Sequence, residues 1–430
     1  MKATLLSQVR SIQTLGNAWR VVYENGRSSQ STETRREISE FAKTHDASLA
    51  RIQRQLNLNS FVFKPTVGIP IRKKGKSSKR PLVVAPIESR IVQRAIHDAL
   101  LTIPEIQRYA ENPYSFGGVK KKLAKAGVPG AIEAVVGAIE AGARFVVRSD
   151  ISSFFTKIPK PIVTQIVADA THDPEFVALF KQAINVELEN LADLAADADL
   201  FPLYEIGVAQ GCSLSPLLGN LLLSDFDQRM NSRRCVCLRY VDDFIVLGPN
   251  NIEAEKEFSF GVKLLKSLGL TISDEKTFKG QVSRGFEFLG IEINNGAIRP
   301  SRVSRKRLLN RVQRVLQMSS TGFHEHEKSG ELSPRLSLIR TLTEASGIVQ
   351  GWGKQYYFCN DKNLFAQLDH QLDTMIRQYL SVYAKTSKPG TQGQRRRLLG
   401  IPLLEGLASK PFKWPEFPPH PFSLAESAEL

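Results

Sequence analysis

Asp242 and Asp243 stand side by side in Arg239-Tyr240-Val241-Asp242-Asp243-Phe244, and Asp150 ends the run Arg144-Phe145-Val146-Val147-Arg148-Ser149. Apolar runs flank the pair, Cys235 to Leu238 before it and Phe244 to Leu247 after it, which predicts two short buried strands joined by a tight acidic hairpin. Burying apolar strands beside two unpaired carboxylates is costly, so a positive partner is expected to face them. A divalent cation suits that role, because hard cations take carboxylate oxygens and complete their shells with substrate phosphates. The pair alone leaves a simpler alternative open, a solvated hairpin closed by two turn-favouring aspartates. Asp150 adds a carboxylate from a separate strand. Carboxylates from different strands can bridge a pair of cations, and nucleotidyl transfer to a 3′-hydroxyl uses such a pair. One ion lowers the pKa of the attacking hydroxyl; the other holds the triphosphate and neutralises the leaving pyrophosphate.

The elements that must position these residues can be read from periodicity. Helical spacing recurs over residues 1–60, at Leu15, Ala18, Val21 and Val22, at Ile38, Phe41 and Ala42, and at Leu49, Ile52 and Leu56, with a polar break from Gly26 to Thr34. Period two at Val67-Ile69-Ile71 and Leu82-Val83-Val84, around a lysine- and glycine-rich tip from Arg72 to Arg80, predicts a hairpin. Helices are expected from Ile87 to Ile103, from Ala131 to Ala141, through 161–200 and near 252–268, with short strands over 270–293. Residues 302–383 read as helical and basic, and the tail from 386 is rich in Pro, Gly and Arg, with Pro411 to Pro421 expected to be irregular.

A chain of 430 residues has room for two or three packed domains, and 42% hydrophobic with 23% charged residues is the composition of a soluble globular protein. The net charge of +15 predicts a polyanionic partner, since a basic surface concentrates nucleic acid and contributes salt-dependent affinity. No apolar stretch approaches the roughly 18 residues of a spanning helix, so no membrane is expected. The opening residues are followed by Ser7, Gln8 and Arg10, which argues against a secretory signal; the cysteine pattern fits a reducing cytoplasm. Cys212, Cys235, Cys237 and Cys359 have no paired CxxC spacing; Cys235 and Cys237 read as core, and a zinc site does not fit.

An ordered series of motifs resembles the prokaryotic reverse transcriptases, near the group II intron and retron enzymes. Arg148-Ser149-Asp150-Ile151-Ser152-Ser153-Phe154-Phe155 with Ile158-Pro159 resembles their first catalytic motif, and Gln210-Gly211-Cys212-Ser213-Leu214-Ser215-Pro216 through Asn220 the second. Tyr240-Val241-Asp242-Asp243 resembles the third, Gly269-Leu270 through Glu275-Lys276-Thr277 the fourth, and Phe288-Leu289-Gly290 the turn that grips the primer. Arg80-Pro81-Leu82 and Arg90-Ile91-Val92-Gln93 extend the similarity upstream. Gly351-Trp352 followed by Tyr356-Tyr357 resembles the thumb helix of group II intron maturases, where these aromatics are expected to be thumb core.

The resemblance implies an α+β, right-hand polymerase: an N-terminal helical extension over 1–60, fingers and a palm with an antiparallel sheet over 61–295, a helical thumb over 296–385, and a tail over 386–430. It implies that Asp150 and Asp242 ligate two Mg2+ ions (Mn2+ being an alternative), with Asp243 assisting and the Ile151 carbonyl completing one shell. Phe155 matches the aromatic gate that excludes a 2′-hydroxyl, although one of Phe154 and Phe155 must be core. Lys73 and Arg80 match residues that hold the triphosphate, as charge-assisted phosphate contacts suit both. Gln210 and Gly211 match the loop under the templating base, and Lys276 a general acid for pyrophosphate. The basic run Arg302, Arg305, Lys306, Arg307, Arg311 is expected to contact duplex backbone, positioning without reading sequence.

Some departures matter. Val119 stands where an arginine is usual in the fingers motif Ser115-Phe116-Gly117-Gly118, and Ser215-Pro216 differs from the Ser-Gln of diversity-generating retroelements. No cysteine/histidine nuclease module is expected after the thumb. The expected partners are an RNA template, dNTPs and a DNA product, and the nearest resemblance is to the "unknown group" antiphage defence enzymes, which copy a partner non-coding RNA. A group II intron-type maturase and a retron-type enzyme are the alternatives. Primer type, template identity and oligomeric state are left open.

Overall fold

The computed structural model describes residues 4–72, 78–118 and 126–404, which fall into two compact units, 1–289 with 293–295, and 290–292 with 296–430. The first unit opens on helices α1 (Leu5–Val9), α2 (Ile12–Arg27), α3 (Thr32–Lys43) and α4 (His45–Asn57). Ser11 and Ser31 accept from the backbone N–H groups of Thr14 and Thr34, so serine caps set the starts of α2 and α3. The polar break is shorter than the composition suggests: Gly26 stays helical because its missing side chain lets Ile38 of α3 pack on it.

The hairpin of β1 (Val67–Arg72) and β2 (Lys79–Val84) follows, paired antiparallel with Ile69 opposite Leu82. Helix α5 (Ile87–Leu100) stops short of Ile103, and α6 (Pro104–Ala110) starts with proline in its first turn, where the lost N–H costs nothing. Next come α7 (Gly127–Glu140), β3 (Phe145–Asp150), α8 (Lys160–Thr171), α9 (Pro174–Ile184), α10 (Ser215–Met230), β4 (Val236–Tyr240), β5 (Asp243–Gly248), α11 (Asn251–Ser267), β6 (Phe278–Gln281) and β7 (Phe286–Phe288). The stretch 161–200 is not helical throughout. Glu187 and Glu189 exchange backbone hydrogen bonds with Thr66, which pulls the chain there into a bridge beside the hairpin, before a 3-10 helix over Ala192–Leu200.

The central sheet is antiparallel, in the order β4-β5-β3-β6. Helices α10 and α11 pack on it through an aromatic ladder: Phe226 meets Phe244 edge-on at 5.7 Å, and Phe244 stacks on Phe258 at 5.8 Å. Cys235 and Cys237 are buried in this core, where burial pushes the Cys235 thiol up to about 11 and Cys237 higher than its ordinary value.

The division between the units falls within β8 (Ile291–Asn294), and β9 (Ala297–Pro300) belongs to the second unit. The second unit is helical, with α12 (Arg302–Ser329), α13 (Leu338–Gln355), α14 (Lys362–Ser387) and α15 (Gln392–Leu399). Leu308, Val312, Leu316 and Phe323 of α12 pack with Ile348, Leu372, Tyr379 and Leu398 in its core. The Trp352 ring lies 4.7 Å from that of Tyr356; its Nε1 donates to Ser304 Oγ, which donates in turn to Tyr356 OH. Tyr356 is core, whereas Tyr357 is 75% exposed. Within the tail, α14 continues to Ser387 and α15 follows, started by a Thr391/Gln394 capping box and anchored by buried Leu398. Pro411 to Pro421 lies outside the described residues.

Candidate active site

Residues 150 and 243 face each other across the β3–β5 pair, and the Ile151 N–H donates to the Asp242 carbonyl at 2.9 Å. The three carboxylates of Asp150, Asp242 and Asp243 each bring an oxygen within 4.8 Å of the others. In a regular strand, consecutive side chains point to opposite faces. Asp242 and Asp243 reach one place because the chain turns between β4 and β5, with Val241 at φ 59°. A β-branched residue with positive φ is an outlier that its surroundings must hold.

Protein charge does not neutralise this cluster. Burial raises the Asp242 carboxyl above its usual range, with the Asp150 charge adding to it; burial with the charges of Asp242 and Asp150 lifts Asp243 to about 6. Lys276 Nζ donates to Asp150 Oδ2 at 2.6 Å, and the charges of Lys276 and Arg80 reach Asp242 without cancelling the rise. Three hard oxygen donors in one place, left short of positive charge, fit divalent cations of the Mg2+ type.

Phe154 is buried against Gly219, while Phe155 is half-buried on the same 3-10 turn, Phe154–Lys157. Arg80 is exposed on β2, and Lys73 lies outside the described residues, as does Val119. The Gln210 carbonyl accepts from the Val83 N–H at 2.9 Å. Gly211 has φ +117°, and a Cβ there would lie 2.8 Å from the Val83 carbonyl oxygen. The glycine is therefore required by the passage of β2, a neighbour from its own chain.

The basic face of α12 divides. Arg302, Lys306, Arg307 and Arg311 are exposed. Arg305 is not free: its Nη2 donates to both carboxylate oxygens of Glu292 at 3.1 Å. Glu292 also accepts from Arg299 and from the Arg302 N–H, so it caps α12. Arg305 therefore already has a carboxylate partner within the chain through Nη2, while its buried Nε has no hydrogen-bond partner.

The sequence reading missed a polar network beneath the turn. Arg239 is 1% exposed, and so is Asp227; Nε donates to Asp227 Oδ1 at 2.8 Å and Nη2 to Oδ2 at 2.5 Å. Asn112 donates to the same carboxylate at 2.8 Å. Arg239 Nη1 donates to the Val241 carbonyl at 2.9 Å and to Asn220 Oδ1 at 3.1 Å, and Asn220 Nδ2 donates to the Gly117 carbonyl. The available signal was Asp227 and Arg239 at the ends of the largely apolar runs Leu221 to Asp227 and Cys235 to Arg239.

A family model described as Reverse transcriptase (RNA-dependent DNA polymerase) matches residues 71–293. The chain is 26% identical over 253 residues to Protein YkfC of Escherichia coli (strain K12), covering 50% of this chain and 64% of YkfC. Among solved structures, a chain of a partial Cas6-RT-Cas1–Cas2 complex is 20% identical with a TM-score of 0.35, covering 62% of this chain and 42% of that one. Apo telomerase from Candida Tropicalis, truncated from the C-terminal domain, is 14% identical with a TM-score of 0.39, covering 54% and 53%. Among the described residues, no helix is long and apolar enough to cross a membrane.

Proposed function

Because the chain belongs to the reverse transcriptase (RNA-dependent DNA polymerase) family, we propose that it is an RNA-directed DNA polymerase that adds dNTPs to a primer on an RNA template. The observation that carries this reading is the cluster of three carboxylates, gathered from β3 and the β4–β5 turn and short of positive charge. Two Mg2+ ions bound there would activate the primer hydroxyl and neutralise the triphosphate and the departing pyrophosphate. Asp150 and Asp242 would hold these ions with help from Asp243, and the Ile151 carbonyl would supply a further oxygen. Lys276 exchanges Asp150 for the pyrophosphate oxygens and delivers a proton to them from Nζ. Arg80, with Lys73, grips the triphosphate. Phe155 closes the space beneath the sugar, so that a 2′-hydroxyl is excluded by volume, and Gln210 and Gly211 support the templating base. Arg302, Lys306, Arg307 and Arg311 meet the duplex backbone, consistent with the chain's charge of +15.

The test is primer extension on a primed RNA by the purified protein with Mg2+, offered dNTPs or NTPs. Synthesis with dNTPs is expected, and Phe155→Ala is expected to admit NTPs. Equal use of NTPs by the unaltered protein overturns the reading.

The biological role we propose is copying of a cognate non-coding RNA in antiphage defence, which rests on the motif resemblance. A group II intron-type maturase is the second reading, favoured by the Gly351-Trp352 and Tyr356-Tyr357 similarity on α13 and just after it. Sequencing the RNA and DNA bound to the protein in its host separates them. A dedicated small RNA with complementary DNA supports the first, and an excised intron overturns it.

A further inference from the structure

We propose that the buried network of Arg239, Asp227 and Asn220 is a positioning device for the metal site, holding the Val241 turn in the one geometry that sends Asp242 and Asp243 to the same place as Asp150. This deepens the polymerase reading and rests on it.

Three observations converge on the turn. Val241 sits at φ 59°, a conformation that a β-branched side chain does not adopt unaided. Its carbonyl accepts a hydrogen bond from Arg239 Nη1 at 2.9 Å. The other nitrogens of the same guanidinium are committed to Asp227, and Asp227 accepts in addition from Asn112. A planar guanidinium anchored on two sides has no freedom to follow the turn, so the turn must follow it. Asn220 fixes the opposite wall: it accepts from Arg239 Nη1 and from Ser115 Oγ, and donates to the Gly117 carbonyl. Gly117 is the residue against which Val241 packs, since a Cβ there would lie 2.7 Å from Val241 Cγ2 and 3.0 Å from the Val241 nitrogen.

The consequence reaches the carboxylates through the backbone alone. Asp242 follows Val241 directly, and its carbonyl accepts from the Ile151 N–H beside Asp150. Were Val241 to relax to negative φ, Asp242 would rejoin strand alternation and leave the face that Asp243 and Asp150 share. Arg239 touches no reacting atom in this scheme. It is a positioning residue, acting through Val241.

The experiment measures Mn2+ binding, by electron paramagnetic resonance or calorimetry, on the full chain without nucleotide or RNA. In Asp227→Leu/Arg239→Met both buried charges are replaced together, a change that folds commonly tolerate when the volume is kept. This variant is expected to keep its circular dichroism spectrum and bind Mn2+ about tenfold more weakly, the effect of losing an outer-shell partner of a metal ligand. Adding Val241→Gly, which permits positive φ without the arginine, is expected to restore part of the affinity; a generally loosened core would not respond to it. If the double variant does not fold, Arg239→Lys keeps a cation opposite Asp227 while removing the fork that reaches the Val241 carbonyl, and the same loss is expected. Mn2+ affinity equal to that of the unaltered protein in the folded variant, or loss with no response to Val241→Gly, overturns the proposal. Failure of the unaltered protein to bind Mn2+ would instead overturn the metal-site reading beneath it.

Discussion

Asp227 and Asp242 lie at opposite ends of the segment that contains β4, and they have opposite electrostatic surroundings. The Asp227 carboxylate accepts from two nitrogens of Arg239 and from Asn112, with essentially no exposure to solvent. Asp242 shares its place with Asp150 and Asp243, and burial together with Asp150 holds its carboxyl above the usual range. The difference separates architecture from chemistry. A carboxylate whose hydrogen bonds the chain supplies is part of the fold; a group of carboxylates that the chain gathers and leaves short of charge is built for something else to complete. Removing an aspartate should therefore have opposite consequences at the two places.

At the unsaturated cluster the loss should fall on activity. Asp242→Asn, made together with Asp243→Asn, is expected to lower primer extension on the order of 10⁴-fold, as for groups that act as a unit. Thermal unfolding in chelator should not fall, because mutual repulsion is removed with the charges. Residual synthesis close to that of the unaltered protein would break the comparison on this side. At the saturated network the loss should fall on the fold: Asp227→Ala leaves the Arg239 charge buried without its partner and is expected to cost about 3–5 kcal/mol. Denaturant unfolding measures this, and a cost under about 1 kcal/mol would make the network as replaceable as a surface ion pair.

Metal and pH probe the cluster a second way. The Asp243 carboxyl is raised to about 6 in the folded protein, from 3.8. A raised carboxyl pKa means that the folded state binds the proton more tightly, so the associated stability is complete at pH below about 4 and is lost as pH rises through 6. In chelator, unfolding free energy should fall by about 2 kcal/mol between pH 4 and pH 7 on this account. Adding Mg2+ or Mn2+ at pH 7 should recover it, since the ionised cluster is then the form that binds. A stability curve indifferent to divalent ions at pH 7 would count against the cluster as a cation site.

The same contrast marks what could be read from the chain beforehand. The strand ending at Asp150 and the acidic hairpin follow from alternation and turn chemistry, because local pattern determines them; Phe154 and Phe155 lie on a 3-10 turn, where strand alternation does not apply. The Arg239–Asp227 pair was legible only as two charges at the ends of largely apolar runs; its partners Asn112, Ser115 and Asn220 come from segments that only the tertiary fold brings together. Gly211 invited a reading in terms of a ligand, and the close neighbour is the Val83 carbonyl of β2. Composition assigned no element to the start of the tail, where Arg395, Arg396 and Arg397 lie on α15, whose Leu398 is 1% exposed in the core of the second unit. One buried leucine and a cap outweigh a polar composition.

The smallest expected effect carries the distinction to the helix α12, where an arginine paired within the chain and an exposed one are two residues apart. Arg305 gives its Nη2 to both oxygens of Glu292, and Arg307 is exposed. If commitment to a partner within the chain is what removes a side chain from recognition, Arg307→Ala should weaken RNA binding and reduce the magnitude of its log K against log salt slope by roughly 0.7 to 0.9, one phosphate contact. Arg305→Ala should leave that slope alone and cost about 1 kcal/mol or less in stability, through the loosened cap of α12. Filter binding of a primed RNA across a salt series, beside thermal unfolding of both variants, separates the two. A flattened slope for Arg305→Ala would mean that Glu292 releases its arginine to the nucleic acid, and that the ion pair is a resting position.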